Sequence, residues 1–217
     1  MLLKTDMIEA VIWDFGGVFT TSPFEAFERY ERKMGIPVGL IRKINSTNHE
    51  NNAWAQFERS HLDLEGFDLA FAAEALTLGH HIPGRDVVAL LAGDFRPEMI
   101  EALRRIKTRF KTGCITNNMP SNAATGDAAD RSLYAREVME LFDELIESSK
   151  IGIRKPDPRI YQMMCDKLGV KPDACVYIDD LGVNLKPARA MGMTTIKVEN
   201  GPQAIAELEA ATGMKLS

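Results

Sequence analysis

The stretch Ile8-Glu9-Ala10-Val11-Ile12-Trp13-Asp14-Phe15-Gly16-Gly17-Val18 decides the fold class. A nearly continuous apolar run stops where a carboxylate and two glycines arrive together. A half-exposed strand alternates apolar and polar residues, whereas an unbroken run of this length reads as a strand buried on both faces. Strands of that kind belong to parallel sheets covered by helices on both sides. The first strand is therefore placed over residues 8–15, with Asp14 at its carboxyl end.

Beyond residue 92 a regular alternation extends this sheet. Pro97 opens a helix carrying Ile100, Leu103 and Phe110. Residues 111–116 form a strand that runs into Asn117-Asn118. A helix over about 130–141 precedes a strand over 144–148, and Arg131 and Arg136 read as its solvated face. Asp157-Pro158 opens a helix with Tyr161, Met164, Cys165 and Leu168 on one side and Gly169 at its end. Residues 174–178 form the fourth strand, ending in Asp179-Asp180. A helix over 181–191, a strand over 194–198 and a helix around Ile205 and Leu208, closed by Gly213, complete the series. The expected fold is α/β, a doubly wound parallel sheet.

Residues 22–91 break the rhythm. Ser22-Pro23-Phe24-Glu25 has the form of a capping box, Val38 to Ile44 and Asp63 to Leu78 read as further helices, and no strand pattern is visible. The expected organisation is a core of residues 1–19 and 92–217 with an all-helical insert over 20–91. Pro83-Gly84 and Gly93 are candidate hinges.

Composition excludes several classes. The chain has 217 residues, 45% apolar and 26% charged, with a net charge of −5. That balance is ordinary for a globular protein and argues against a nucleic-acid partner, which requires a basic face. Cys114, Cys165 and Cys175 show no paired spacing and read as buried reduced thiols, so neither a zinc site nor a disulfide framework is expected. No leader-like apolar run opens the sequence and no apolar run approaches membrane length, so the expected location is cytoplasmic.

In open α/β sheets ligands sit outside the carboxyl ends of the strands. That rim collects Asp14, Thr116, Asn117, Asp179 and Asp180, with Lys155 in the loop Gly152-Ile153-Arg154-Lys155-Pro156-Asp157. One carboxylate at a strand end commonly caps a helix. Three of them with a lysine and a Thr-Asn pair form a chemical constellation, because unpaired carboxylates repel and a hard divalent cation relieves them. A carboxylate beside Mg²⁺ and lysine can attack phosphorus and form an acyl phosphate. His80-His81 lack a third ligand and read as surface. His49, Asn51, Asn52 and Trp54 lie in the insert, where they are candidates to face a substrate.

The same residues carry a family resemblance. Ile12 to Val18, Ile115-Thr116-Asn117-Asn118, Lys155-Pro156-Asp157-Pro158 and Tyr177-Ile178-Asp179-Asp180 resemble, in order, the four motifs of the haloacid dehalogenase superfamily, and the insert resembles its helical cap. The strings Phe142 to Ser148, Gly152 to Ile160 and Asp179 to Arg189 are similar to the phosphatase-type domain of soluble epoxide hydrolases and to the related domain fused to some acyl-CoA dehydrogenases. The resemblance implies Asp14 as nucleophile and Mg²⁺ ligand, with the Gly16 carbonyl and Asp180 completing the metal site. It implies Thr116, Asn117 and Lys155 as phosphate holders, Lys155 and Asp179 as parts of the catalytic group, and Asp179 beside the metal or on a metal-bound water.

One position departs from the pattern. In the phosphatases of the family the residue two after the nucleophile is an aspartate acting as general acid and base, and here it is Gly16. The expected function is a Mg²⁺-dependent phosphatase acting on a small phosphorylated metabolite, as a monomer or homodimer. The alternatives are a 2-haloacid dehalogenase, in which Asp14 attacks carbon, and a phosphate-ligand binding module with weak turnover.

Overall fold

The computed structural model describes residues 8–119 and 127–216. Its centre is a five-stranded parallel sheet built from β1 (Ala10–Trp13), β2 (Lys111–Thr116), β3 (Glu144–Glu147), β4 (Cys175–Asp179) and β5 (Thr194–Lys197), in the order β3-β2-β1-β4-β5. The first strand is shorter than the expected 8–15, because ladder pairing ends at Trp13. From β1 the chain winds outward through β2 and β3, then returns to the other side of β1 for β4 and β5. The order therefore reverses between β1 and β4, and ligands of open α/β sheets bind outside the carboxyl ends of the strands at such a point.

The double burial of β1 follows its side-chain alternation. Val11 and Trp13 pack into one apolar layer with Val176, Ile178 and Leu103, while Ala10 and Ile12 pack into the other with Tyr177, Tyr161 and Met164. The first layer is covered by α6 (Pro97–Ile106) and α11 (Gly201–Thr212) and the second by α9 (Pro158–Leu168) and α10 (Gly182–Ala190). All three cysteines are buried and free. Among the described residues, no helix is long and apolar enough to cross a membrane. Residues 1–7, where no leader is expected, and the Arg131 side chain lie outside the described residues; Arg136 is exposed.

Residues 24–89 form α1 (Phe24–Met34), α2 (Leu40–Ser46), α3 (Ala53–Glu58), α4 (Leu64–Thr77) and α5 (Gly84–Ala89). They enclose an apolar cluster of their own, with Phe27, Ile41, Phe57, Phe67, Phe71 and Ile82 almost wholly buried. Each such side chain contributes about 1.5–3 kcal/mol of transfer free energy to holding this segment together. Two short helices, α3 and α5, escaped the sequence reading, because six residues are too few to display a helical period.

Three local expectations are corrected. Pro23 is the N-cap of α1, its carbonyl accepting from Phe27 N at 2.9 Å, so the cap falls one residue later than the Ser22 pattern suggested and Ser22 Oγ is buried without a partner among the described residues. Gly84 is no hinge: it is packed inside the insert, where a side-chain carbon would meet Asp68 Cα at 2.9 Å. The crossing between insert and sheet is instead a short antiparallel ribbon. Thr20 bridges Phe95, Thr21 N donates to Asp94 O at 2.8 Å, and Gly93 lies against Thr21.

Candidate active site

Strand register brings the acids together. Trp13 and Ile178 are partners across β1 and β4, so Asp14 and Asp179, each one residue further, emerge side by side, with Asp14 N donating to Ile178 O at 2.8 Å. Asp180 follows at once. Oxygens of Asp14, Asp179 and Asp180 lie within 4.8 Å of one another, at the point where the strand order reverses.

Lys155 fills the gap between two of them. Its Nζ lies 2.6 Å from Asp14 Oδ1 and 2.9 Å from Asp179 Oδ2, and the residue is 1% exposed. Burial alone would push this amine down. The two carboxylates outweigh it and hold the ammonium well above the ordinary lysine range. Burial pushes the Asp14 carboxyl up; Lys155 opposes that shift, and Asp179 and Asp180 add to it. Asp180 is pushed up to about 6, by burial first and Asp179 second. Burial is the larger cause of both shifts, and the neighbouring carboxylates, which one lysine cannot fully neutralise, add to it.

The acids are not equivalent. Asp179 is fully buried, and its oxygens accept from Lys155, Tyr177 Oη at 2.6 Å, Asn184 Nδ2 at 3.0 Å and Leu181 N at 2.8 Å. It is a hub that orients the lysine. Asp14 receives Lys155 and Phe15 N, at 2.6 Å, both on Oδ1. Among the described residues this leaves Oδ2 without a hydrogen-bond donor. Asp180 lies partly open. The set therefore holds two less committed carboxylates, Asp14 and Asp180, next to the exposed Gly16. Carboxylate oxygens grouped in this way could hold a hard divalent cation.

Asn117 also braces the loop that carries Lys155. Its side-chain amide is committed to the lysine loop, donating to Lys155 O at 3.0 Å and accepting from Lys155 N at 2.8 Å. Thr116 is buried at the end of β2. Tyr177, Asn184 and Arg96 were missed in the sequence. Arg96 Nη1 donates to Gly17 O at 3.0 Å, which ties the ribbon from the insert to the loop after Asp14, and its charge also favours ionised Asp180. Only Tyr177 had a readable signal: it lies two residues before Asp179 and thus on the same face of β4.

Of the four insert residues expected to face a substrate, Asn52 and Trp54 have structural partners. Asn52 caps α3 through Ala55 N and donates to Asn45 O and Thr47 O at 2.9 Å each. Trp54 packs on Phe27 and Phe67. His49 and Asn51 are exposed, as is His81. The Asp14, Asp179 and Asp180 cluster is the acidic group suited to a metal among the described residues.

The model of the haloacid dehalogenase-like hydrolases matches residues 8–192, and the chain belongs to that family. It is 32% identical over 213 residues to acyl-CoA dehydrogenase family member 10 of Mus musculus, covering 95% of this chain and 19% of that protein. It is 30% identical over 218 residues to bifunctional epoxide hydrolase 2 of Mus musculus, covering 95% of this chain and 39% of that protein. The chain thus spans well under half the length of these relatives. Among solved structures, a haloacid dehalogenase family enzyme of Bacteroides thetaiotaomicron, in complex with magnesium and inorganic phosphate, superposes with a TM-score of 0.57 at 16% identity. That match covers 88% of this chain and 94% of the other.

Proposed function

We propose that this domain is a Mg²⁺-dependent phosphatase acting on a small phosphorylated metabolite through an aspartyl phosphate on Asp14. The observation that carries the reading is the Asp14–Lys155–Asp179 bridge with Asp180 beside it, because three acids at one rim call for a dication and an anionic substrate. The solved relative with magnesium and phosphate supports it. Bound at Asp14, the Gly16 carbonyl and Asp180, the metal would neutralise phosphoryl charge. Lys155 holds Oδ1 of Asp14, so Oδ2 attacks phosphorus while the bond to the leaving oxygen breaks. That oxygen takes its proton from water, because Gly16 has none to give. Water then attacks the aspartyl phosphate, releasing phosphate and restoring the carboxylate. Thr116, the Asn117 backbone and Lys155 hold the phosphoryl oxygens in this reading.

Residues 20–91 would act as a cap over this rim on the core of 1–19 and 92–217. Met119, just past the second motif, packs on the insert's apolar cluster, and Ser60 Oγ donates to Ser149 O at 2.7 Å, which supports that placement. Free phosphate released from a panel of phosphorylated metabolites, with and without Mg²⁺, tests the reading. Absence of metal-dependent release across the panel would overturn it. Metal-independent halide release from a 2-haloacid would select the dehalogenase alternative, which Gly16 permits.

A further inference from the structure

The insert reaches the lysine loop through a buried ion pair. Glu58, the last residue of α3, is 5% exposed, and its Oε2 accepts from Arg154 Nε at 2.5 Å. Its Oε1 accepts from Trp54 Nε1 at 2.9 Å. Burial pushes the Glu58 carboxyl up, and Arg154, Trp54 and the more distant Lys155 act against that. Arg154 also donates from Nη1 to His49 O at 2.8 Å, and Ser148 Oγ donates to Glu58 O at 2.8 Å. Two segments of the insert, residues 49 and 58, thus grip the residue immediately before Lys155.

Lys155 has a long side chain, and its Nζ position between Asp14 and Asp179 depends on where its backbone lies. The core sets that backbone through Asn117. From the other side, Arg154 is set by Glu58. A guanidinium held by a carboxylate and a carbonyl cannot shift without leaving a charge buried and unpaired. We propose that Glu58 is a positioning residue for Lys155, so that seating of the insert and placement of the site lysine are one event. The inference rests on the proposed role of Lys155, but its test does not require turnover.

The test is competitive labelling of lysines in the full chain with acetic anhydride, read by peptide mass spectrometry, using exposed Lys186 as internal reference. In the wild type Lys155 should be strongly protected. In Glu58→Gln its reactivity relative to Lys186 should rise at least tenfold, while hydrogen exchange of the β1 and β4 amides stays unchanged, separating local loosening from global unfolding. The kcat for p-nitrophenyl phosphate should fall by a similar factor. If the single variant does not fold, Glu58→Gln/Arg154→Leu removes both charges and should expose Lys155 in the same way. Unchanged protection of Lys155 in a folded variant overturns the proposal, and so does failure of both variants to fold, because the pair is then a folding element. Wild-type protection without phosphatase activity would count against the function alone.

Discussion

Gly17 and Asp180 occupy one another's space: a side-chain carbon on Gly17 would fall within the Asp180 carboxylate, and Gly17 also has φ +75°. Glycine is therefore required there twice over, by backbone conformation and by the close approach of an acid. Gly17→Ala should drive Asp180 out of place and weaken Mg²⁺ binding by at least about tenfold, the equivalent of about 1.4 kcal/mol. Isothermal titration of wild type and variant with Mg²⁺ checks this, and equal affinities would remove Asp180 from the metal site.

Asp14→Asn should lower phosphate release by more than about a thousandfold, as expected when a covalent nucleophile is lost. The fold should persist, because the amide is isosteric and Lys155 keeps Asp179 as its partner. The measurement pairs phosphate release with a thermal melt; a folded variant retaining a tenth of the wild-type rate excludes Asp14 as nucleophile.

Gly16 stands in the opposite situation from Gly17. It is exposed, a side-chain carbon there would meet nothing within 4 Å, and its φ lies outside the left-handed range. Gly16→Asp should fold normally and supply the missing acid. Alkyl phosphates, whose leaving groups need a proton, should gain about 10²–10⁴ in rate, and activated aryl phosphates much less. Rates plotted against leaving-group pKa for both proteins test this. Shallow, parallel slopes would mean that another group already supplies the proton.

Metal binding should depend on pH through Asp180, whose carboxyl lies at about 6. Below that value a proton competes with the cation, so Mg²⁺ affinity should fall about fivefold as pH drops from 6 to 5. The metal-free protein carries the reverse sign. Between the ordinary carboxylate range near 4 and pH 6 the folded state binds more protons than the unfolded one, so stability falls as pH rises through that window. Melting curves at pH 4.5 and 7, with and without Mg²⁺, should show stabilisation by metal only at the higher pH. Equal stabilisation at both would place the metal away from Asp180.

Much of this molecule is written in local pattern. The apolar run before Asp14 could be read as a doubly buried strand because burial on both faces demands apolar side chains at every position. The alternation after residue 92 then followed from helix starts such as Asp157-Pro158 and ends such as Gly169 and Gly213. Those signals also located Asp14, Lys155, Asp179 and Asp180, since ligand rims lie at strand ends and the strand ends were visible. What each residue does there depended on contacts between segments far apart in the chain. Asn117 grips a backbone 38 positions away, Asn184 and Tyr177 saturate Asp179, and Arg96 returns from the far side of the insert to Gly17. The Glu58–Arg154 pair spans 96 positions. No periodicity encodes such partners, because hydrogen-bond and ion-pair geometry is set only when packing brings the segments within about 3 Å. The sequence by itself determined the sheet, the helices over it and the acids at its rim; the tertiary structure decided which acid is saturated by hydrogen bonds, which is less so, and which parts of the chain hold the lysine.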